Sequence, residues 1–559
     1  FIMEKALITR DFTMAYVAQN GSHRTPAIFN IATLWSALEG SILLWVLILV
    51  AYTALVVWRF QSRLTDPLVG WAILVLVVVC IFFFVLLIGP AHPFGRFEPW
   101  PGYDGPGPNP LLQNHILMAF HPPVLYLGYV GFTVPFAFAI ASLVTGRMDE
   151  GWLTQTRKWT LVAWGCLTLG IVLGAWWSYE VLGWGGYWAW DPVENASFLP
   201  WLTGTAFLHS VMIQERKGML RVWNLSLLCS TFSLTIFGTF ITRSGVLESV
   251  HSFTESGIGP LLLGFFMVIV LISIGLIGWR GESLSSPGSI ASPISKTGAF
   301  LANNLLFGAF AFVVFLGTVF PMVIEAVNNN RISVGNPYFV KMTMPIGFAL
   351  LFLMAVAPAL SWGRVKGELL SQRLLGPALF AVFVMLLGVL LGSRGWVPTL
   401  ALGLGGFAAG GASRQLLISL RSRRFRGLLG RSGGGMIVHL GVVVIAVAFA
   451  CSSAFLRQAE FRFERPGDEA FLGGHHFVFD GLREIELPEK NQIVANILID
   501  GKVFSPAINE FPFGGRTIGT PTTRSTWKDD VQLALLAVPD DDTETVTVIR
   551  ATIQPMVWW

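Results

Sequence analysis

The sequence predicts an all-α polytopic membrane protein with about twelve transmembrane helices visible and a small β-rich domain on its outer face. Three observations carry this expectation. Of 559 residues, 53% are hydrophobic and only 13% charged, about half the charge of a soluble domain. Apolar runs long enough, or nearly long enough, to span a bilayer recur along the chain. After Arg457 charges rise, and short segments of alternating character appear between glycines and prolines.

In order, the apolar runs are Leu38 to Trp58, Leu68 to Ile88, Pro122 to Val144, Thr160 to Trp177, Phe198 to Ile213 and Trp223 to Ile241. They continue with Ile258 to Trp279, Phe300 to Phe320, Met344 to Trp362, Leu374 to Leu391, the glycine-rich Trp396 to Ser413, and Met436 to Phe455. Cations alternate with these runs. One set of loops holds Arg59 and Arg63; Arg147, Arg157 and Lys158; Arg216, Lys217 and Arg221; Arg280 and Lys296; Arg364, Lys366 and Arg373; and the cluster Arg414 to Arg431. The opposite loops hold isolated cations such as Arg96, Arg243, Arg331 and Arg394. The positive-inside rule places the first set in the cytoplasm, so the Trp184 segment and everything after Arg457 face outward.

Residues 1–456 are thus expected to form the helical domain. Residues 457–550 form the β-rich domain, with strand-like segments such as Phe477 to Phe479, Ile493 to Ile497 and Thr545 to Ile549. Residues 551–559 turn apolar again and read as the start of a further span. The chain opens on Phe1 without an initiator Met and closes on this upswing, so both ends read as truncated. The net charge of +4 gives no reason to expect a nucleic-acid partner. The four cysteines, Cys80, Cys166, Cys229 and Cys451, each lie alone in apolar runs, without C-x-x-C or zinc spacing. Thiol redox chemistry and covalent haem attachment to this chain are therefore not expected.

The densest chemical signal is WGGYWAWDPVEN, Trp184 to Asn195. Trp184, Tyr187, Trp188 and Trp190 offer a flat, polarizable surface suited to a planar aromatic ligand. The other reading is an interfacial aromatic belt, whose rings are usually scattered rather than contiguous. Asp191 and Glu194 flank Pro192; Asp191 either orients a ligand histidine or caps the following helix. Asp-Pro ahead of an apolar run is a standard helix opening.

Among nine histidines, four are distinguished by position. His121 lies at the outer mouth of the third run and His251 in an outer loop after the sixth, so both share a face with the aromatic segment. His209 lies about 16 Å down the fifth run, at the helical rise per residue. His439 lies near the cytoplasmic end of the twelfth. Both buried histidines fall in the inner half of the bilayer, where ionisable residues are costly and functional by default. Two neutral imidazoles at matching depth suit a bis-histidine haem, or each hydrogen-bonds a neighbouring helix. Arg243, ending the sixth run, is placed either to pair with a haem propionate or to anchor the interface. His475 and His476 read as a surface pair with no third metal ligand.

WGGYWAWDPVENASFLPWL resembles the tryptophan-rich WWD signature of haem-handling proteins in cytochrome c biogenesis. NPLLQNHILMAFHPPVLYLGYVGF, GTFITRSGVLESVHSF, LEGSILLWV and AFLANN narrow the resemblance to the CcmF family, the large membrane subunits of the bacterial system I cytochrome c haem lyase. The likeness is dense from Asn109 to Phe253 and thin from Pro337 to Arg431 and in the β-rich domain. Tyr187 stands where the motif often has another tryptophan.

The resemblance implies that His121 and His251 ligate the haem to be transferred, with Trp184, Tyr187, Trp188, Trp190, Asp191 and Arg243 around it. It implies that His209 and His439 hold a resident haem b. It further implies an inner-membrane protein whose active face is periplasmic. The expected partners are a CcmE haem chaperone, CcmH-type and CcmI-type proteins, apocytochrome c and a quinol. The expected reaction is haem attachment to the cysteines of CxxCH through thioether bonds, with no nucleophile from this chain. Two other classes stay open on the sequence: a haem loader resembling CcmC, and a quinol oxidoreductase built on the resident haem.

Overall fold

The computed structural model describes residues 1–113, 115–147, 151–182, 186–245, 257–284, 292–329, 332–364, 366–428, 430–511, 517–539 and 546–555. Three short helices come first: α1 (Ile2–Thr9), α2 (Ala15–Asn20) and α3 (Ala27–Ala32). The membrane part follows: α4 (Leu38–Arg59), α5 (Pro67–Ile88), α6 (Leu117–Gly131), α7 (Thr133–Thr145), α8 (Gly151–Val181), α9 (Pro192–Lys217), α10 (Arg221–Arg243), α11 (Gly259–Trp279), α12 (Lys296–Asn328), α13 (Asn336–Val356), α14 (Gly367–Leu390), α15 (Trp396–Arg423) and α16 (Arg431–Ala454). Among the described residues eleven helical spans are long and apolar enough to cross a membrane, α6 and α7 together counting as one. The glycine-rich α15 is the run that falls short, although it is helical over 28 residues. Its glycines lower hydropathy and let backbones approach: a Cβ on Gly410 would meet Pro377 of α14 at 2.9 Å, and one on Gly411 the Ala355 carbonyl of α13 at 2.8 Å.

The third run also differs from expectation. The helix begins at Leu117, and the chain divides at Phe132 into α6 and α7. Pro122 and Pro123 lie inside α6. A proline cannot donate to the carbonyl four residues back, so Pro122 frees the Met118 carbonyl, which accepts from Trp35 Nε1 at 2.9 Å. Tyr52 OH donates to the Leu127 carbonyl at 2.9 Å. Side chains of the first 52 residues thus tie down α6.

Sidedness follows from paired ends. Asp66, capping α5, receives Arg63 and Arg147, each at 2.5 Å. Arg157 of α8 pairs with Glu215 of α9. Arg280, just past α11, donates to the Leu143 and Val144 carbonyls at 2.8 Å. The cationic ends of α4, α7, α8, α9 and α11 therefore gather on one face, as the charge alternation requires. The short helices α1 to α3 and residues 91–113 sit at the opposite ends and share a small core of their own around Leu7, Tyr16 and Val17.

The outer domain holds ten strands: β1 (Arg457–Phe463), β2 (Glu469–Leu472), β3 (His475–Glu486), β4 (Asn491–Ile499), β5 (Lys502–Phe504), β6 (Ala507–Glu510), β7 (Thr517–Thr520), β8 (Thr522–Ser525), β9 (Asp529–Ala537) and β10 (Thr547–Pro555). They form two antiparallel sheets, β1-β10-β9-β8 and β2-β3-β4-β6-β7, with β5 on β4. The sheets share a core of Phe463, Phe477, Phe479, Ile497, Leu533 and Ile549. Residues 551–555, expected to open a further apolar span, belong to β10, where alternation buries Ala551 and Ile553 in that core.

Strand alternation turns Asp530, Gln532, Thr552 and Gln554 to the other face, yet all four are buried. Gln532 Nε2 donates to the Tyr179 carbonyl at 2.7 Å, and Tyr179 OH donates to Asp530 Oδ2 at 3.1 Å. The last carbonyls of a helix lack partners within it. A strand residue from the outer domain thus satisfies one at the end of α8.

Candidate functional site: an outer cavity and a buried histidine pair

A cavity of about 210 Å³ opens at the outer ends of α6, α8 and α10. His121 forms part of its wall, with Tyr126, Trp177, Ser178, Val193 and Arg243. His121 sits one turn into α6, and its Nδ1 lies 2.8 Å from the Gly170 carbonyl of α8. A carbonyl only accepts, so Nδ1 carries the proton and Nε2 is left with a lone pair. That is how a ligand histidine is oriented by a carbonyl behind it. Gly174 lies over the ring: a Cβ there would sit 2.6 Å from His121 Cε1. Glycine is required here by close approach, not by backbone conformation.

Arg243 faces the same cavity and is buried, 4% exposed. It donates to Ser41 Oγ at 3.2 Å, to Thr242 Oγ1 at 2.9 Å and to Tyr126 OH. The structure therefore brings His121 and Arg243 together, on a largely apolar wall. Trp177 Nε1 and Ser178 Oγ, buried on that wall, have no hydrogen-bond partner among the described residues. Few polar groups on an apolar wall is the composition of a ligand site. Trp35, Trp177, Ser178 and Gly174 were missed by sequence reasoning. The only sequence signal for the last three was that they lie on α8 immediately before the aromatic segment.

The aromatic segment is arranged differently from the flat surface expected of it. Trp188 and Trp190 stand perpendicular, with ring centres 6.0 Å apart. Trp190 stacks on Phe339 of α13 at 5.0 Å, and Tyr187 on Phe449 of α16 at 4.5 Å. Tyr187 OH also lies 2.9 Å from Ser452 Oγ. Tyr187 and Trp190 are thus held by two different helices, which pulls them out of a common plane. Trp190 has φ +58°, uncommon for a bulky side chain. Asn195 Nδ2, fully buried in α9, donates to its carbonyl at 3.1 Å and to Thr318 Oγ1 of α12 at 3.0 Å. Asp191 and Glu194 form a capping box on α9: Asp191 Oδ1 accepts from Val193 N at 2.8 Å, and Glu194 Oε2 from Asp191 N at 3.1 Å. Trp184 and His251 lie outside the described residues.

His209 of α9 and His439 of α16 meet in the membrane interior with ring centres 6.1 Å apart. Two imidazoles binding one iron through nitrogen need about this separation, at about 2 Å per metal–nitrogen bond. His439 Nδ1 is buried without a hydrogen-bond partner among the described residues. His209 lies between Phe300 and Phe307 of α12, and Asn303 Nδ2 is 3.3 Å from its Nδ1. The donor set, the spacing and the aromatic flanks fit a haem. Among the described residues there is no group of three or more His, Cys, Asp or Glu that could hold a metal ion. His475, 12% exposed, is held between Asp500 at 2.8 Å and Asp529 at 3.3 Å, and His476 pairs with Glu469 at 3.0 Å.

A bundle of membrane helices with a histidine-lined outer cavity, a buried histidine pair and a β-rich outer domain fits the class of haem-handling membrane proteins. The family model described as "Cytochrome C assembly protein" matches residues 35–248. "Cytochrome c-type biogenesis protein CcmF" of Pseudomonas aeruginosa is 38% identical over 506 residues, covering 89% of this chain and 76% of that protein. "Cytochrome c-type biogenesis protein CycK" of Bradyrhizobium diazoefficiens is 36% identical over 575 residues, covering 99% and 85%. "Probable cytochrome c-type biogenesis protein NrfE" of Escherichia coli is 40% identical over 391 residues, covering 69% and 70%. The solved structure "Cytochrome c Heme Lyase CcmF" superposes with a TM-score of 0.80 at 34% identity, covering all of this chain and 85% of that one. The chain belongs to the CcmF family, and is a multi-pass inner-membrane protein of cytochrome c maturation.

Proposed function

We propose that this chain is the haem-attaching subunit of a cytochrome c haem lyase. The observation that carries the reading is His121: its Nδ1 is held 2.8 Å from the Gly170 carbonyl, and its ring stands in the wall of an outer cavity shared with Arg243. Haem arrives as substrate from a CcmE-type chaperone and is held by His121 and His251, beside the Trp184, Tyr187, Trp188, Trp190 and Asp191 segment. Arg243 faces a propionate. Apocytochrome c, brought by CcmH-type and CcmI-type partners, presents its reduced CxxCH thiols. Each thiol adds across one vinyl group: a carbon–sulfur bond forms, and the thiol proton ends on the neighbouring vinyl carbon. No oxidant is consumed. The chain supplies no nucleophile; it orients the porphyrin edge toward the thiols and shields it in an apolar pocket.

His209 and His439 would hold a resident haem b. That haem, when bound, supplies one-electron reduction of the substrate iron, with quinol as the electron source. Phe300 and Phe307 flank the His209 ring, and Asn303 contacts it.

The test is the visible spectrum of the detergent-purified protein, oxidised and dithionite-reduced, beside a His209→Ala His439→Ala variant, together with cytochrome c maturation by His121→Ala. A bis-imidazole b-type spectrum absent from the double variant, and maturation lost in His121→Ala, are expected. Normal maturation by His121→Ala without added imidazole overturns the outer-ligand assignment.

A further inference from the structure

Three cations gather two helical turns below the buried histidines. Arg216 lies on α9 seven residues beyond His209, hence on the same face and about 10 Å nearer the cytoplasm. Lys296, Phe300, Asn303 and Phe307 are spaced four, three and four on α12, so they share one face. Asn303 and both phenylalanines touch His209. Lys296 therefore sits the same drop below the histidine level as Arg216, on the opposing helix.

The third cation comes from α14. Arg373 NH1 donates to the Ala359 carbonyl at 2.8 Å, Lys296 N donates to the Ser361 carbonyl at 2.8 Å, and the Arg216 guanidinium lies over the Trp362 ring at 4.9 Å. All three thus surround one four-residue segment, Ala359 to Trp362. Trp362 in turn packs on Phe300 at 5.9 Å, and Phe300 on His209 at 5.9 Å. Lys296 is close enough to both arginines to interact electrostatically with each. Among the described residues no carboxylate pairs with any of the three. The positive-inside rule explains cations in a cytoplasmic loop. It does not explain three converging from separate helices, where mutual repulsion is unfavourable unless an anion lies between them.

We infer that Arg216, Lys296 and Arg373 form the anion-binding end of the buried haem site and receive the two carboxylates of the porphyrin bound between His209 and His439. The inference rests on the resident-haem reading above. A porphyrin is apolar except for its propionate edge, and only that edge needs charge compensation when the ring is buried. Histidines one level up, aromatic rings between and cations at the polar boundary give such a molecule one orientation, propionates toward the cytoplasm.

The experiment uses the full chain purified in detergent, as wild type, as His209→Ala His439→Ala, as Arg216→Gln Lys296→Gln Arg373→Gln, and as the charge-conserving Arg216→Lys Arg373→Lys. Haem b per polypeptide, the midpoint potential of its absorbance and bound phospholipid are measured on each. The triple variant is expected to retain about tenfold less haem, the effect of one or two lost charge-assisted hydrogen bonds. The haem it keeps should titrate at a lower potential, because the cations favour the more anionic ferrous form. The lysine variant should restore much of both. Wild-type haem content and potential in the triple variant, with haem lost in the histidine variant, overturn the inference and leave the resident haem standing. Loss of co-purifying anionic lipid with haem unchanged assigns the cations to a lipid headgroup instead. A wild type without b-type absorbance overturns the resident-haem reading, and this inference with it.

Discussion

A single methyl group tests the outer site sharply. Gly174→Ala would place a Cβ 2.6 Å from His121 Cε1, and the ring would have to turn off the Gly170 carbonyl. We expect Gly174→Ala to fold but to lose most cytochrome c maturation, approaching His121→Ala, as scored by haem-stained c-type cytochrome. Added imidazole should rescue His121→Ala and not Gly174→Ala, whose own ring still blocks the place. Two carboxylates of the outer domain give a pH signature of opposite signs. Burial pushes Asp530 up to about 6 from 3.8. A raised carboxylate favours the folded state while protonated, so this stabilisation is full below about pH 4 and is lost as pH rises through about 6. Asp500, bonded to His475, is held down at about 2, so its contribution is present above about pH 4 and lost only as pH falls through 2. Asp530→Asn should therefore melt a few degrees above wild type at pH 8 and together with it near pH 4, by thermal unfolding at both values.

At the scale of elements, the membrane spans were legible because apolar length and alternating charge are local properties. The matching depth of His209 and His439 could likewise be counted along two runs. The start of α6 was not legible: Pro122 and Pro123 look like a helix opening, while the Met118 carbonyl that Pro122 frees is met by Trp35, 83 residues before it. Removing that indole donor in Trp35→Phe leaves the Met118 carbonyl unpaired, at about 1–3 kcal/mol. The loss should show as a lower melting temperature, with protection at α6 amides falling in hydrogen exchange. The Asp191-Pro192 opening was readable from chain order alone, and the capping box confirms a helix start there. Asp191→Ala should cost about 1 kcal/mol by the same melting assay. The splayed arrangement of Tyr187 and Trp190 was not readable, since Phe449 and Phe339, on which they stack, lie in segments with no motif. Nor did chain order reveal the cation cluster, whose members come from three helices and whose loops look like ordinary cytoplasmic ones.

For the whole molecule, the joint between α8 and β9 has a consequence for biogenesis. Tyr179 is pinned by Asp530 and Gln532, residues separated from it by some 350 positions. The cavity wall carried by Trp177 and Ser178 is therefore finished only after the last sheet has been translocated and folded. Until then the nascent chain holds His121 and Arg243 around an unsealed helix end. If that joint completes the wall, haem capture should wait on the outer domain. Chains arrested in the membrane after residue 456 should insert all their spans yet take up no haem at His121, in a pulse-labelled translocation assay. Supplying the outer domain later, as a separate polypeptide, should restore that capture.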